Sequence, residues 1–237
     1  MHDVFQPFSL THAIALVTIA ALTSLLVVHA RGLRAEARSR FERRLAIANA
    51  AVWLIVRVWW MLPPRFDLAT SLPLHLCPIM VLLASVVLIS PQRWLRALLY
   101  FWGIGLCTQA LMTPNLEEPP SSIWFWTFWF QHGVVIAIAV YDLAVRSYRP
   151  KWRDYGIACV AGLVYVGIVL PIDIALHSDY GFVGEPTPKN PSILDYLGPW
   201  PQRVVTMVLL AAAVMAAMML PWARRRDGTP PSSQRSS

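Results

Sequence analysis

The sequence predicts an all-α, polytopic membrane protein with seven transmembrane helices, its N-terminus outside the cell and its C-terminus in the cytoplasm. Of its 237 residues, 57% are hydrophobic and only 14% are charged, whereas about a quarter of the residues in soluble domains are charged. The mean hydropathy is +0.51. This composition argues against a soluble enzyme, a disordered chain and a nucleic-acid-binding protein, in spite of a net charge of +7.

Seven apolar runs define the predicted helices. A helix needs roughly 20 apolar residues to cross the hydrocarbon core, and backbone polar groups in lipid must find their partners within the helix. The predicted spans are residues 9–29, 45–62, 72–90, 97–113, 123–145, 156–176 and 203–222. They form a transmembrane domain over residues 1–222, followed by a cytoplasmic tail at residues 223–237 that we expect to be disordered because it is polar and rich in Pro and Ser.

The basic residues predict the orientation. They concentrate in alternate connections and in the tail: Arg31, Arg34, Arg38, Arg40, Arg43 and Arg44; Arg93 and Arg96; Arg146, Arg149, Lys151 and Arg153; Arg224, Arg225, Arg226 and Arg235. The opposite side has only Arg65, Lys189 and Arg203. Because cytoplasmic loops carry the excess of Lys and Arg, we expect a multi-pass protein of the inner (cytoplasmic) membrane with an odd number of spans.

Polar side chains from six predicted helices fall at one depth, in the outer third of the membrane. They are His12, Arg57, His75, Cys77, Gln109, His132 and Asp173. Ionisable groups in a span usually face a bundle interior or a cavity, so the pattern favours a polar pocket that opens outward. Hydrogen bonding that merely joins helices is the alternative. The inner half has mainly Asp142, which we expect to pair with Arg146 four residues later.

Cys77 is the candidate nucleophile. Pro78 follows it, so the helix is either kinked there or begins there. At a helix N-terminus the dipole favours the thiolate; a buried structural cysteine is the alternative. Cys107 and Cys159 lack this setting and are interpreted as packing residues. His132, from another helix, is the candidate base, since His75 lies only two residues from Cys77 and does not face it on a regular helix.

Other polar residues are candidates for substrate binding. His75 and Gln109 are candidate orienting groups or oxyanion donors, and Asp173 is a candidate to orient a histidine. Arg57 is suited to hold a phosphate or carboxylate, unless it extends toward the outer surface. The long connection at residues 177–202 contains a predicted short helix at 191–201, with Ser192 as its N-cap and Asp195 as a further candidate binding residue. This helix is either a lid over the pocket or a connector.

Four segments together resemble the YwaF-like family of bacterial seven-helix integral membrane proteins. They are LPLHLC at 72–77, QALMTP at 109–114, HG at 132–133 and PSILDYLGPWP at 191–201. The chain departs from that pattern at Asp173, where the family prefers Asn, and at residues 178–180. Distantly similar eukaryotic proteins are cysteine-dependent phospholipid acyltransferases, and another possibly related group contains membrane lipid hydrolases. The resemblance implies an acyl-transfer role for Cys77 with His132.

The sequence therefore leads to the hypothesis of a lipid acyl-transfer enzyme that acts on membrane lipids and requires no metal or cofactor. A transporter or receptor that binds a small polar or amphipathic solute in the same pocket is the alternative, and a membrane scaffold is a third. A retinal protein is excluded because the last span contains no Lys. Haem ligation by His75 or His132 is not favoured by any paired spacing.

Overall fold

The apolar runs of the sequence form helices joined by short connections. The computed structural model describes residues 5–116, 118–185 and 193–223, with the backbone alone at residues 193 and 195. In this part of the chain there are seven main helices and no strand: α1 (Leu10–Gly32), α2 (Ala35–Met61), α3 (Leu76–Ile89), α4 (Arg93–Met112), α5 (Ile123–Ala144), α6 (Trp152–Leu176) and α7 (Gln202–Ala223).

Six of these helices are long and apolar enough to cross a membrane, and the exception is α3, which has 14 residues. The all-helical fold and its multi-pass membrane character are therefore confirmed. The seventh span and the orientation of the termini stay predictions.

Four predicted helix starts are wrong by four residues or more. Helix α4 begins at Arg93 and not at residue 97, and α6 begins at Trp152 and not at residue 156; α2 and α3 differ as well. Helix α2 begins at Ala35 and not at residue 45, so Arg38, Arg40, Arg43 and Arg44 lie in its first turns and not in a loop. Hydropathy detects only the apolar part of a helix, and arginine is itself a good helix former. Helix α3 begins at Leu76 and not at residue 72, which places Pro73 before the helix and Pro78 in its first turn, where a proline is well tolerated.

Helix α3 lies in the centre of the bundle. On one side the amide of Asn49 in α2 donates to the carbonyl of Val81 at 2.9 Å and to the hydroxyl of Ser85 at 2.8 Å. On its other sides α3 packs against α4 and α5. Fully buried Met80 belongs to a hydrophobic core that also contains Phe101 of α4 and Val135 of α5. This packing fixes the start of α3 relative to its neighbours.

Ion pairs close the end of the bundle at which α3 ends. Arg96 pairs with Asp142 at 2.8 Å, and Arg146 pairs with Glu42 at 2.7 Å while it also donates to the last carbonyls of α3. The expected pairing of Asp142 with Arg146 is therefore wrong. Helix α5 ends at Ala144, so Arg146 has left the helical geometry that brings residues four apart together.

The described parts of the connection between α6 and α7 lie at the opposite end of the bundle. A short 3₁₀ helix at Tyr180–Phe182 follows α6, and a second at Ile193–Leu197 precedes α7. The helix predicted within residues 191–201 is thus confirmed as a shorter 3₁₀ segment. Its predicted N-cap, Ser192, and the predicted tail from residue 224 onward lie outside the described residues.

Candidate functional site

Cys77 is the second residue of α3. His75 is the N-cap, its side chain makes no capping bond, and Pro78 occupies the first turn. Of the two predicted geometries, the structure thus has the one in which the helix begins at this point. The backbone N–H groups of Leu76 and Cys77 have no acceptor within the helix, so they point partial positive charge at the space next to the thiol.

The Cys77 side chain has two partners from other helices. Its Sγ lies 3.7 Å from Sγ of Cys107 in α4, and it also contacts the His132 side chain of α5, with which it interacts electrostatically. Cys107 is buried, whereas Cys77 and His132 are only partly buried. The predicted pairing of Cys77 with His132 therefore has a counterpart in the geometry.

The ring of His132 is held in one orientation by its own helix. Nδ1 lies 2.8 Å from the carbonyl oxygen of Phe128, one turn earlier, and the Phe128 ring lies against the imidazole with 4.2 Å between centroids. Since a carbonyl oxygen only accepts hydrogen bonds, Nδ1 carries the proton in the neutral ring. Nε2 is then the nitrogen with a free lone pair.

His75 is held by the connection after α6. The backbone N–H of Gly181 donates to Nδ1 of His75 at 3.1 Å, and the Tyr180 ring packs edge-on against the imidazole at 5.1 Å. Asp173 holds this segment in place, because its Oδ1 accepts from Ser178 Oγ at 2.7 Å and from the N–H of Tyr180 at 2.9 Å. Asp173 and Cys77 both interact electrostatically with His75.

Arg57 of α2 approaches the same place. Trp53, one turn earlier, donates from Nε1 to the carbonyl of Pro78 at 2.8 Å, so this face of α2 lies against the start of α3. Arg57 interacts electrostatically with His75, and its buried Nε has no hydrogen-bond partner. In the described chain no carboxylate pairs with this guanidinium.

Two of the predicted polar residues, Gln109 and His12, are not brought to the thiol. Gln109 is exposed on the last turn of α4. His12 is fully occupied elsewhere, since its Nδ1 accepts from the N–H of Phe8 and its Nε2 donates to the carbonyl of Leu111, both at 2.8 Å. The side chain of Asp195 lies outside the described residues.

Sequence reasoning missed Cys107 and Tyr180. Helix α4 has an irregular turn at Leu99–Ile104, and the sequence signal that could have indicated it is Gly103 within this turn and Gly105 directly after it. The hydroxyl of Tyr180 accepts from the N–H of Leu72 at 2.9 Å and donates to the carbonyl of Leu68 at 2.8 Å, which ties the connection before α3 to that after α6.

Two cavities are lined by neither Cys77 nor His132. One, of about 460 Å³, is at the end of the bundle where α3 ends and is lined by charged side chains that include Arg38, Glu42 and Arg146. The other, of about 350 Å³, is apolar and lies beside Trp53 and Trp94. Among the described residues, no group of three or more His, Cys, Asp and Glu side chains is arranged to hold a metal ion.

The comparison with known proteins gives a family but no described activity. An uncharacterized protein of Treponema pallidum (strain Nichols) is 26% identical over 159 residues, which is 67% of this chain and 65% of that protein. The match thus spans slightly less than two thirds of the relative's length. No solved structure matches the chain. The sequence profile of the TMEM164 family matches residues 7–219, and the chain belongs to that family.

Proposed function

We propose that this chain is a lipid acyl-transfer enzyme in which Cys77 is the nucleophile and His132 is the general base. The observation that carries the proposal is the contact of the two side chains, with Nδ1 of His132 engaged by the Phe128 carbonyl. A thiol activated by a histidine that a third group orients is the usual arrangement of thiol enzymes. The resemblance to the YwaF-like family and, distantly, to cysteine-dependent phospholipid acyltransferases supports the same chemistry.

In the first half-reaction, Nε2 of His132 takes the thiol proton and Sγ of Cys77 attacks the carbonyl carbon of an ester. The negative charge that develops on the carbonyl oxygen is stabilised by the N–H groups of Leu76 and Cys77 at the start of α3. The ester C–O bond then breaks, His132 returns the proton to the departing alcohol, and a thioester remains on Cys77. An acceptor alcohol, or water in a hydrolase, takes the acyl group in the second half-reaction.

Arg57, His75 and Asp173 have supporting roles in this proposal. Arg57 binds the anionic group of the lipid, since its buried Nε has no hydrogen-bond partner and no carboxylate of the described residues pairs with it. His75 interacts electrostatically with both Cys77 and Arg57, and its role is to orient the substrate. Asp173 is a positioning residue, because it holds the segment that fixes His75. Gln109 and Asp195 are left without a role.

The proposed membrane placement puts the thiol within reach of a lipid ester. With seven spans and the N-terminus outside, α3 begins near the outer face of the inner membrane. Its 14 residues cover about 21 Å at 1.5 Å per residue, less than the hydrocarbon thickness of roughly 30 Å. If α3 ends at the inner boundary, its start lies about 9 Å below the outer one, so the ester of a lipid must enter the bundle to this depth to meet the thiol.

A thiol-directed lipid probe tests the proposal. Reduced protein in lipid nanodiscs is treated with a phospholipid analogue whose acyl carbonyl is electrophilic, and the labelled cysteine is identified by mass spectrometry. We expect labelling at Cys77, lost in Cys77→Ser and retained in Cys159→Ser. Labelling that persists in Cys77→Ser, or that is equal at Cys159, would show that Cys77 is not the nucleophile and would favour a solute-binding protein.

A further inference from the structure

Cys77 and Cys107 form a pair of thiols at the junction of α3 and α4. Their sulfur atoms are 3.7 Å apart although the residues are 30 positions apart in the chain. Cys107 is 1% exposed, whereas Cys77 is partly exposed. Cys77 is therefore the more accessible thiol of the pair, and Cys107 is covered by its neighbours.

The backbone of α4 fixes Cys107 in this position. The N–H groups of Leu106 and Cys107 both donate to the carbonyl of Trp102, at 3.0 and 2.9 Å, which is a wide turn of the π type. Trp102 is itself anchored, because its Nε1 donates to the carbonyl of Ala158 in α6 at 3.2 Å. Wide turns of this kind are frequent at functional sites.

Gly105 is required by the same turn. A Cβ atom at this position would run into the carbonyl oxygen of Phe101 and the sulfur of Met218. Because the turn is held by α6 and α7 as well as by its own hydrogen bonds, Cys107 is directed toward Cys77 by the packed bundle.

We infer that Cys77 and Cys107 form a reversible disulfide, with Cys77 as the attacking thiol and Cys107 as the resolving thiol. Cys77 is suited to attack because His132 lies beside it to accept its proton. Cys107 is suited to resolve because it is buried against Cys77 and shielded from other reagents. Bond formation needs the sulfur atoms to move from 3.7 Å to about 2.05 Å.

The exchange is balanced with a small disulfide as oxidant. The Cys77 thiolate attacks one sulfur of the oxidant, the oxidant's S–S bond breaks, and its other half leaves as a thiolate that takes up a proton. The Cys107 thiolate then attacks Sγ of Cys77 in the mixed disulfide and releases the second half of the oxidant. The two cysteines lose two electrons and two protons in all, and the oxidant disulfide becomes two thiols.

This inference goes beyond acyl transfer, since the exchange needs only the two thiols and the oxidant. It does have a consequence for the proposed function, because Cys77 in a disulfide has no sulfur available for an ester. The oxidised protein would therefore be inactive as an acyl-transfer enzyme, and reduction would restore it.

Oxidised glutathione is the probe for the test. Full-length protein in nanodiscs is reduced, exposed to a series of glutathione redox buffers, quenched in acid, alkylated with a maleimide and analysed by intact mass and peptide mapping. In the wild type and in Cys159→Ser we expect loss of two hydrogen atoms, a Cys77–Cys107 cross-linked peptide and protection of both thiols. In Cys107→Ser and Cys107→Ala we expect the reaction to stop at a glutathione adduct on Cys77.

Three results would overturn the inference: stable glutathione adducts on Cys77 in the wild type, a cross-link to Cys159, or the same loss of hydrogen in Cys107→Ala. The wild-type measurement stands even if a Cys107 variant fails to fold. Lipid labelling of the reduced wild type and of reduced Cys107→Ala is recorded in parallel. If the wild type forms the cross-link but is not labelled by the lipid probe when reduced, acyl transfer alone is refuted. If it is labelled but forms no cross-link, the disulfide alone is refuted.

Discussion

His132 Nδ1 lies 2.8 Å from the carbonyl oxygen of Phe128, one helical turn earlier in α5. This bond leaves Nε2 as the basic nitrogen of the neutral ring, and the His132 side chain contacts Cys77. The backbone carbonyl of Phe128 thus orients the His132 ring, a role that a separate carboxylate has in many thiol and serine enzymes. The orientation of the base is built into α5 and does not depend on any loop.

The first prediction concerns Asp173. Its Oδ1 accepts two hydrogen bonds, from Ser178 and Tyr180, while its buried Oδ2 has no partner. Asp173→Asn keeps the accepting oxygen, so we expect stability within about 1 kcal/mol of the wild type. Asp173→Leu leaves the buried N–H of Tyr180 unpaired and should cost roughly 1–3 kcal/mol.

Thermal unfolding in one detergent compares these two variants. If Asp173→Asn were as unstable as Asp173→Leu, the carboxylate charge and not the Oδ1 acceptor would be what holds the Tyr180 segment.

The second prediction is a pH dependence at Asp179. Burial raises the pKa of the Asp179 carboxyl from 3.8 to about 6, against the opposing effect of Arg203, whose guanidinium lies 3.2 Å away. Because the folded pKa is raised, the contribution of this group to stability is fully present below about pH 4 and is lost as the pH rises through about 6. The loss is on the order of 2–3 kcal/mol.

Unfolding measured from pH 4 to pH 8 in the wild type and in Asp179→Asn checks this sign. The stability of the wild type relative to the variant should fall between pH 4 and pH 6 and then level off. A relative stability that rises over that range would mean that the ion pair with Arg203 outweighs the burial of the carboxylate.

A third prediction addresses the contact of α1 with α5 next to the proposed base. A Cβ atom on Gly133 would lie 2.9 Å from Cγ1 of Ile19, whereas one on Gly156 of α6 would meet nothing within 4 Å. We expect Gly133→Ala to cost about 1 kcal/mol or more from overpacking, and Gly156→Ala to stabilise by up to about 1 kcal/mol from helix propensity.

Thermal unfolding again gives the readout, and Ile19→Ala supplies the second-site test. If steric contact is the cause, the double variant Gly133→Ala with Ile19→Ala should be less unstable than the sum of the single variants. If the losses of stability in the two single variants simply add in the double variant, contact with Ile19 is not the cause of the Gly133→Ala effect.

The fourth prediction tests Arg57 as an anion-binding residue. Its guanidinium has no carboxylate partner in the described chain and interacts with His75, so we expect Arg57→Gln to weaken the binding of an anionic phospholipid by about tenfold. Arg65→Gln is the matched control, because Arg65 stacks on the ring of Trp59, 4.0 Å from its centroid, and is exposed.

Native mass spectrometry of lipid adducts, with Cys77→Ser as the background to prevent turnover, measures the effect. Equal weakening in both arginine variants would indicate general surface charge. No change in Arg57→Gln would mean that this arginine only extends toward the membrane surface.

Much of the fold could be predicted because its causes are local in the sequence. Apolar runs locate the helices, and the ends of α5 differ from the prediction by no more than one residue. The start of α2 could not be found this way, since seven of its first ten residues are charged or polar yet belong to the helix. The Arg96–Asp142 pair was missed because it joins different helices.

The candidate site was predictable only in part. Pro78 marked the start of α3 and therefore the setting of Cys77. The proximity of Cys107 arises from the wide turn after Trp102, which depends on contacts with α6 and α7. Gln109 shares the expected depth with the thiol but is exposed, because depth along a helix axis does not determine the direction of a side chain.

Detection of an acyl-thioester on the protein tests the central claim most directly. Reduced protein is incubated with an unmodified phospholipid, quenched in acid and mapped by mass spectrometry. The variant tested is His132→Gln, and the control is His29→Gln, because the His29 ring packs against Phe41 of a different helix. We predict a hydroxylamine-sensitive acyl group on Cys77 that forms at the wild-type rate in His29→Gln and about a hundredfold more slowly in His132→Gln. An acyl group that forms equally fast in both variants, or that is found on Cys159, would contradict the account.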